Sequence, residues 1–386
     1  MGLMRYGCLP TARMQMFYLT SGYRDLAILD FSTQGHALFN FGHPAWASSS
    51  PPAEGLFSAQ LQETDIVTGS GKKLFAAVDE ILEKGYRHIF LMPSSLAEVM
   101  GLDLEGFAAE IREKTGAHVF TVKAKLNADY YAGAEAFYTA LAQKLARPSD
   151  PQPLTYNILG GCTFADRIDR QYLTSLLDGL SLKCNVDMLT STSFQDLQQL
   201  PRAAVNIVTS RFALKAAEVL KKANGTPYVC FNTLSPSEEH DFLSSAAELT
   251  GRAAPAFCQD EVFSGMLMQV KNILEMTRPD ILCYGDTDKL RALESFFTQV
   301  GYEAIYLCSH KKGQYPYADP DEIVSRYGDK TVLTYDHLCR HIPRSIPIQE
   351  SGLLYTLHPP LKDFTIGKDG AYRICKALTD LLLHGS

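Results

Sequence analysis

Lys72-Lys73-Leu74-Phe75-Ala76-Ala77-Val78-Asp79-Glu80-Ile81-Leu82-Glu83 leads through Lys84-Gly85-Tyr86-Arg87 into His88-Ile89-Phe90-Leu91-Met92. Leu74, Val78, Ile81 and Leu82 recur at helical spacing, which gathers them on one face and predicts a helix over 72–83 with a buried stripe. The run from His88 to Met92 is short, unbroken and apolar, and predicts a strand. A strand of this kind beside a helix of about a dozen residues is the building unit of a parallel sheet with helices on both faces.

The unit recurs along the chain. In the first third, strands are expected at Leu26–Phe31, His88–Met92 and Val119–Val122, with helices at Lys72–Glu83, Leu104–Lys114 and Tyr131–Leu145. A second set has strands at Tyr156–Leu159, Val186–Leu189, Val205–Val208 and Tyr228–Cys230, and helices at Arg167–Leu177, Ala213–Lys222 and Glu238–Leu249. A third begins with a helix near Asp260, continues with strands at Ile281–Tyr284, Ala304–Cys308 and Val332–Tyr335, and closes on a helix at Asp369–Leu383. The proline-rich stretch Ala146-Arg147-Pro148-Ser149-Asp150-Pro151-Gln152-Pro153 is the best linker. At roughly 100–200 residues per domain, the 386 residues predict an α/β chain of three Rossmann-like doubly wound parallel-sheet domains, 1–150, 151–258 and 259–386, around a central cleft.

Composition narrows the function. Hydrophobic residues make up 46% and charged residues 20%, a balance that argues against disorder and against a fibrous protein. Asp and Glu number 43 against 36 Lys and Arg, and the formal charge of -7 has the wrong sign for a chain whose main partner is a nucleic-acid backbone. No apolar run approaches the roughly 18 residues of a membrane helix. The start, Met1-Gly2-Leu3-Met4-Arg5, lacks the apolar core of a signal peptide, so a cytoplasmic chain with no membrane partner is expected. Nine cysteines are scattered singly without a C-x-x-C pair, against both a disulfide framework and a zinc ribbon. Cys230, Cys283 and Cys308 are expected as small core residues.

Local motifs support little catalysis. Thr68-Gly69-Ser70-Gly71-Lys72-Lys73 fails the phosphate-loop spacing G-x-x-x-x-G-K-S/T and reads as a helix N-terminus. Gly160-Gly161 and Gly285-Asp286 read as turns after strands, without a G-x-G-x-x-G pattern. His337-x-Cys339-x-His341 offers three metal-ligand types in five residues but no distant fourth, and reads first as polar residues near a strand end. His310-Lys311-Lys312 reads as solvated loop charge. No G-x-S-x-G or H-E-x-x-H motif is present.

Taken in order, several segments carry more than any one of them. They are Gly7-Cys8, Thr33-Gln34-Gly35-His36, Gln60-Leu61-Gln62-Glu63-Thr64-Asp65-Ile66-Val67-Thr68-Gly69, Pro93-Ser94-Ser95-Leu96-Ala97-Glu98-Val99-Met100-Gly101, Tyr130-Tyr131-Ala132-Gly133 and Ile366-Gly367-Lys368-Asp369-Gly370-Ala371. In this order the chain resembles subunits of the nitrogenase component 1 superfamily, which includes the molybdenum-iron protein, its cofactor-assembly scaffold and the dark-operative tetrapyrrole reductases.

The resemblance implies pairing with a homologous component 1-like subunit and an iron-sulfur cluster, of the 4Fe-4S type, shared at the interface. It also implies electrons from a separate P-loop iron-sulfur ATPase reductase. Family subunits typically give three cysteines to the cluster. Cys8 matches the first, while His36 and Ser95 stand at the other two. Cys8 and His36 are therefore the metal candidates, and Ser95 is expected to cap a helix. A heterodimer whose partner supplies three cysteines is the simpler arrangement; a homodimer would offer two Cys8 and two His36.

The catalytic nitrogenase subunit holds its large cofactor through a cysteine after the central strand and a histidine near the C-terminus. Ser210 and His358 stand at the corresponding places here. His358 is the cofactor-binding candidate, and the loss of the cysteine argues against dinitrogen reduction by this chain alone. The resulting expectation is a redox subunit relaying low-potential electrons to a substrate or further cofactor site. The alternatives are a non-catalytic partner or assembly scaffold of the same fold, and a cleft-type binding protein for a small molecule or metal chelate.

Overall fold

The computed structural model describes residues 11–33, 55–62, 64–65, 69–123, 125, 128–161, 164–191, 193–257, 260–349 and 365–384. The first sheet consists of β1 (Leu26–Asp30), β2 (Leu56–Ser58), β3 (His88–Met92) and β4 (His118–Phe120) in the order β2-β1-β3-β4. The second, of β5 (Gln152–Leu159), β6 (Lys183–Asp187), β7 (Ala203–Val208) and β8 (Tyr228–Cys230), runs β6-β5-β7-β8. The third, of β9 (Ile281–Gly285), β10 (Ile305–Ser309), β11 (Thr331–Tyr335) and β12 (Ser345–Gln349), runs β10-β9-β11-β12. All neighbouring strands pair in parallel, so one topology is used three times.

Apolar runs become strands because both of their faces are covered. Successive side chains of a strand point to opposite faces, and in β1 Leu26 and Ile28 enter one core while Ala27 and Leu29 enter another. Among the described residues five helices belong to the first sheet: α1 (Ala12–Ser21), α2 (Gly71–Glu83), α3 (Ser95–Val99), α4 (Leu104–Thr115) and α5 (Tyr130–Leu145). The α2 stripe Leu74, Val78 and Ile81 packs with Ala108 and Ile111 of α4 on one face, while α1 and α5 cover the other.

Around the second sheet lie α6 (Phe164–Gly179), α7 (Leu214–Asn224) and α8 (Pro236–Leu249). Around the third lie α9 (Glu261–Thr277), α10 (Thr287–Val300), α11 (Pro320–Tyr327), α12 (Asp336–Cys339) and α13 (Gly367–His384).

Helices α10, α11 and α12 were not named from the sequence, and three further elements were missed for a physical reason. Helix α1 buries Ala12, Gln15, Met16, Phe17, Tyr18, Leu19 and Thr20, so no polar face alternates with an apolar one to announce it. Strand β2 is only three residues long, and β12 contains Pro347; both are edge strands, where short length and proline are tolerated.

The proline-rich segment 146–151 has neither helix nor strand, yet it is fastened to the second sheet. Arg147 donates to the Gln198 carbonyl at 3.1 Å and the Ser149 hydroxyl to that of Pro201 at 2.7 Å. The first two sheets share one hydrophobic core, with Phe137 and Leu141 of α5 in the same cluster as Ala216 and Leu220 of α7.

The chain returns from the third sheet to the second at Thr365. Its backbone N–H and hydroxyl donate to Asp169 at 2.6 and 2.5 Å, and its hydroxyl oxygen accepts from Lys289 at 2.9 Å. Gly367 follows with φ +65°, its N–H on the Thr233 carbonyl at 2.6 Å, and α13 starts there. A Cβ at Gly367 would lie 2.1 Å from Cε1 of Tyr172, so only glycine satisfies both the backbone angle and the space.

Gly367→Ala is expected to lower unfolding free energy by more than about 2 kcal/mol. Gly179→Ala, where no atom lies within 4 Å of the added Cβ, is expected to be neutral or slightly stabilising. Urea denaturation of the two variants beside the parent chain checks this contrast.

Candidate functional site

The strand order creates crevices at defined places. In each sheet the chain path reverses between the first and third strands, and loops leaving the carboxyl ends of these two strands diverge. The three reversal points are therefore β1/β3, β5/β7 and β9/β11.

At the first, buried Asp30 ends β1 and accepts from Arg13 at 2.5 Å and from Ser32 at 2.7 Å. Arg13 also donates through Nε to the Pro93 carbonyl beyond β3 at 3.2 Å, so one guanidinium ties α1 to both strand ends. The next residue, Ser94, accepts the Ala97 N–H at 3.1 Å and caps α3. The expected cap was Ser95. That residue is already the first of the helix, and the capping geometry belongs to the residue before it. Cys8, His36 and His358, the candidate cluster and cofactor ligands, lie outside the described residues.

At the second reversal point, Gly160 and Gly161 have φ of +115° and +92°. A Cβ on Gly160 would lie 2.7 Å from the Thr209 hydroxyl and 2.9 Å from the Ser210 nitrogen, so this turn is glycine because β7 ends against it. The Gly160 carbonyl accepts from Tyr138 at 2.7 Å and from Arg170, and Arg170 also donates to the Thr209 hydroxyl at 2.9 Å.

At the third, Asp286 caps α10 by accepting the Lys289 N–H at 3.0 Å, and it also accepts from the Tyr130 hydroxyl at 3.4 Å. Tyr130 meets Tyr335 at 3.4 Å, and Tyr335 meets His310 Nδ1 at 2.9 Å. His310 is thus part of an interior polar chain rather than solvated loop charge, and burial lowers its pKa. Lys311 lies 3.8 Å over the Tyr131 ring.

The crevice between the second and third sheets has a volume of about 310 Å³. Ser210 donates to Asp288 at 2.7 Å, and the Arg211 N–H donates to the same oxygen at 2.9 Å. Burial first, and then the neighbouring Asp286 charge, push the Asp288 carboxyl up to about 6, against the opposing effect of those two donors. Cys230 lines the crevice and is exposed, which corrects its expected core role: it ends an edge strand at the crevice mouth. Cys283 is buried as expected, and Cys308 is half-buried.

No group of three or more His, Cys, Asp or Glu side chains that could hold a metal ion is present among the described residues. In the His-x-Cys-x-His segment, His337 is buried and stacked near Tyr335, with ring centroids 5.9 Å apart. Cys339, at the centre of the motif, points its Sγ toward the Thr334 carbonyl at 4.0 Å, and His341 is exposed beyond the helix.

Three parallel sheets of one strand order, with carboxyl ends opening on shared crevices, make this a triple Rossmann-like α/β protein. A family model described as "Nitrogenase component 1 type Oxidoreductase" matches residues 16–341, and the chain belongs to that family. The nitrogenase iron-molybdenum cofactor biosynthesis protein NifE of Clostridium pasteurianum is 26% identical over 202 residues, 50% of this chain and 43% of the relative. A light-independent protochlorophyllide reductase subunit of Methylocella silvestris is 33% identical over 167 residues, 41% of this chain and 31% of the relative. The chain thus matches less than half the length of these two curated relatives. The fold is similar to nitrogenase Cp1 at pH 6.5, with a TM-score of 0.77 at 14% identity, over 100% of this chain and 94% of that one. Among the described residues no helix is long and apolar enough to cross a membrane.

Ionised Asp288 opposes folding, because its folded pKa lies above the unfolded value; its contribution improves as pH falls from above 6 toward 4. In Asp288→Asn that part of the pH dependence is expected to vanish, a difference on the order of 2 kcal/mol across the window. Unfolding free energies of both proteins at several pH values measure it.

Proposed function

We propose that this chain is one subunit of a nitrogenase-like reductase complex. With a homologous partner subunit it binds an interfacial iron-sulfur cluster of the 4Fe-4S type. It receives low-potential electrons from a P-loop iron-sulfur ATPase and relays them toward a substrate or further cofactor in the cleft. Cys8 and His36 are this chain's ligands toward the cluster, and His358 is its residue toward the cleft.

The observation that carries the reading is the knot at the first reversal point. Arg13 draws the start of α1, the end of β1 and the residue after β3 together. Thr11, at the α1 cap, follows Cys8 by three residues, and Thr33 precedes His36 by three. Thr11 and Thr33, the described residues nearest in sequence to Cys8 and His36, and Ser94, which precedes Ser95, border this knot, which supports the reading.

The ligand chemistry requires a partner. Cubane clusters take four thiolates, and histidine replaces cysteine in some two-iron centres. The described residues of the knot contain no thiol, and Arg13 and Asp30 are paired with each other. One Cys8 and one His36 are too few, so further thiolates come from the second subunit. The cluster supplies the electron; the protein's contribution is position and burial.

Ser210 favours a second reading, an assembly scaffold. The residue at the cofactor-cysteine place is an alcohol already bonded to Asp288, a poor ligand for a resident metal cofactor.

The test is anaerobic iron and acid-labile sulfide content, with low-temperature EPR after dithionite, on the chain with its co-purifying partner and on Cys8→Ala. About four irons per dimer, lost or spectrally altered in the variant, is the expected result. Iron-free protein, or a cluster indifferent to Cys8, overturns the reductase reading and leaves the scaffold.

A further inference from the structure

The crevice between the second and third sheets holds two guanidiniums that none of its own residues hydrogen-bonds. Arg211 stands just after β7, and Arg291 lies on α10 three residues after Asp288, on the same side of the helix. The two residues line the same cavity, and both guanidiniums favour the ionised forms of Cys230 and Tyr315. Both residues are exposed, and neither guanidinium has a hydrogen bond or ion pair among the described residues.

The two carboxylates of the crevice are engaged elsewhere. Asp288 takes the Ser210 hydroxyl and the Arg211 N–H, and Glu238 accepts from Ser295 at 2.8 Å through one oxygen and from Thr233 through the other. Burial raises the Cys230 thiol above its ordinary pKa, so the crevice's one described thiol is neutral at neutral pH and adds no negative charge. Two guanidiniums without hydrogen bonds among the described residues therefore line a cavity whose carboxylates, Asp288 and Glu238, are held by other donors, with the apolar side chains of Val208, Leu214 and Phe231 beside them.

We infer that this crevice is a binding site for a small organic anion whose carboxylate or phosphate bridges Arg211 and Arg291. Guanidinium pairs oxyanions through parallel N–H donors, and such charge-assisted bonds are the strong ones. Apolar walls suit the ligand's carbon skeleton, and about 310 Å³ is the small end of ligand sites, which excludes a macrocycle as the enclosed part. The inference rests on the reductase reading only for what becomes of the molecule after it binds; binding itself needs neither cluster nor electron.

The experiment is isothermal titration of the full-length, metal-free chain in low-salt, phosphate-free buffer with succinate, inorganic phosphate and the neutral analogue succinamide. Saturable one-site binding of succinate or phosphate, and none of succinamide, is expected, with the tighter anion telling a carboxylate ligand from a phosphate ligand. Arg211→Gln and Arg291→Gln should each weaken that binding at least about tenfold. Arg211→Lys should keep part of it, and Lys222→Gln, an exposed charge outside the crevice lining, should leave it unchanged. Melting temperatures of the variants guard against loss of fold. Absence of saturable binding by both anions into the tens of millimolar, or binding indifferent to both arginine substitutions, overturns the inference. Because no metal is present, neither result bears on the iron measurement with Cys8→Ala.

Discussion

Asp169, on α6, accepts two hydrogen bonds from Thr365 and lies 3.9 Å from the ammonium of Lys289, on α10. Asp169 and Lys289 are about 95% buried, which is tolerable only because each charge has partners; removing one partner of such a pair typically costs about 3–5 kcal/mol. The geometric consequence exceeds the energetic one. Thr365 comes just before α13, and α13 packs along α9 in the core of the third sheet. One carboxylate thus joins a helix of the second sheet, a helix of the third and the returning chain end. The crevice bounded by β7, β8 and α10 has fixed walls because this grip fixes their separation.

Within those walls, neighbouring acidic and basic groups have unequal fates. Asp286 caps α10 and Asp288 is in its first turn, where the helix N-terminus favours negative charge. Burial and mutual repulsion oppose that preference at Asp288, and the raised pKa records which effect wins. The Ser210 hydroxyl and the Arg211 N–H satisfy the carboxylate as acceptor without neutralising it. The guanidinium of Arg211 is left pointing to the crevice together with that of Arg291.

The sheets were legible in the sequence because strands covered on both faces leave unbroken apolar runs, as in His88–Met92, whose bounds agree residue for residue. Helices with one buried stripe, such as α2, were legible for the complementary reason. Helix α1 was not, since burial nearly all round erases periodicity. Gly367 was legible as part of a phrase, and the structure supplies its reason, a left-handed angle against the Tyr172 ring. A cleft and Ser210 were expected, but the partner of Ser210 was illegible: Asp288 is 78 residues away, and no local spacing couples them. The one signal available was an acidic pair, Asp286 and Asp288, directly after an apolar strand. Cys8, His36 and His358 came from resemblance, a source that names positions without supplying contacts.

Using one topology three times yields three reversal points, but their chemistry has diverged. The first is closed by an arginine bonded to both strand ends, so its described residues are occupied with each other and serve as a frame for the segments that leave it. The third is closed by the chain of Asp286, Tyr130, Tyr335 and His310, which also fastens α5 to the third sheet. Beside the second, at the carboxyl ends of β7 and β8, two guanidiniums without hydrogen bonds among the described residues stand at open volume. Two carboxylates, Asp288 and Glu238, line the same crevice, but their hydrogen bonds come from Ser210, the Arg211 N–H, Ser295 and Thr233, and neither closes on a guanidinium. Arginine and carboxylate thus meet at the first point, where they join the strand ends, and stay apart in the crevice, where the guanidiniums remain open to a ligand.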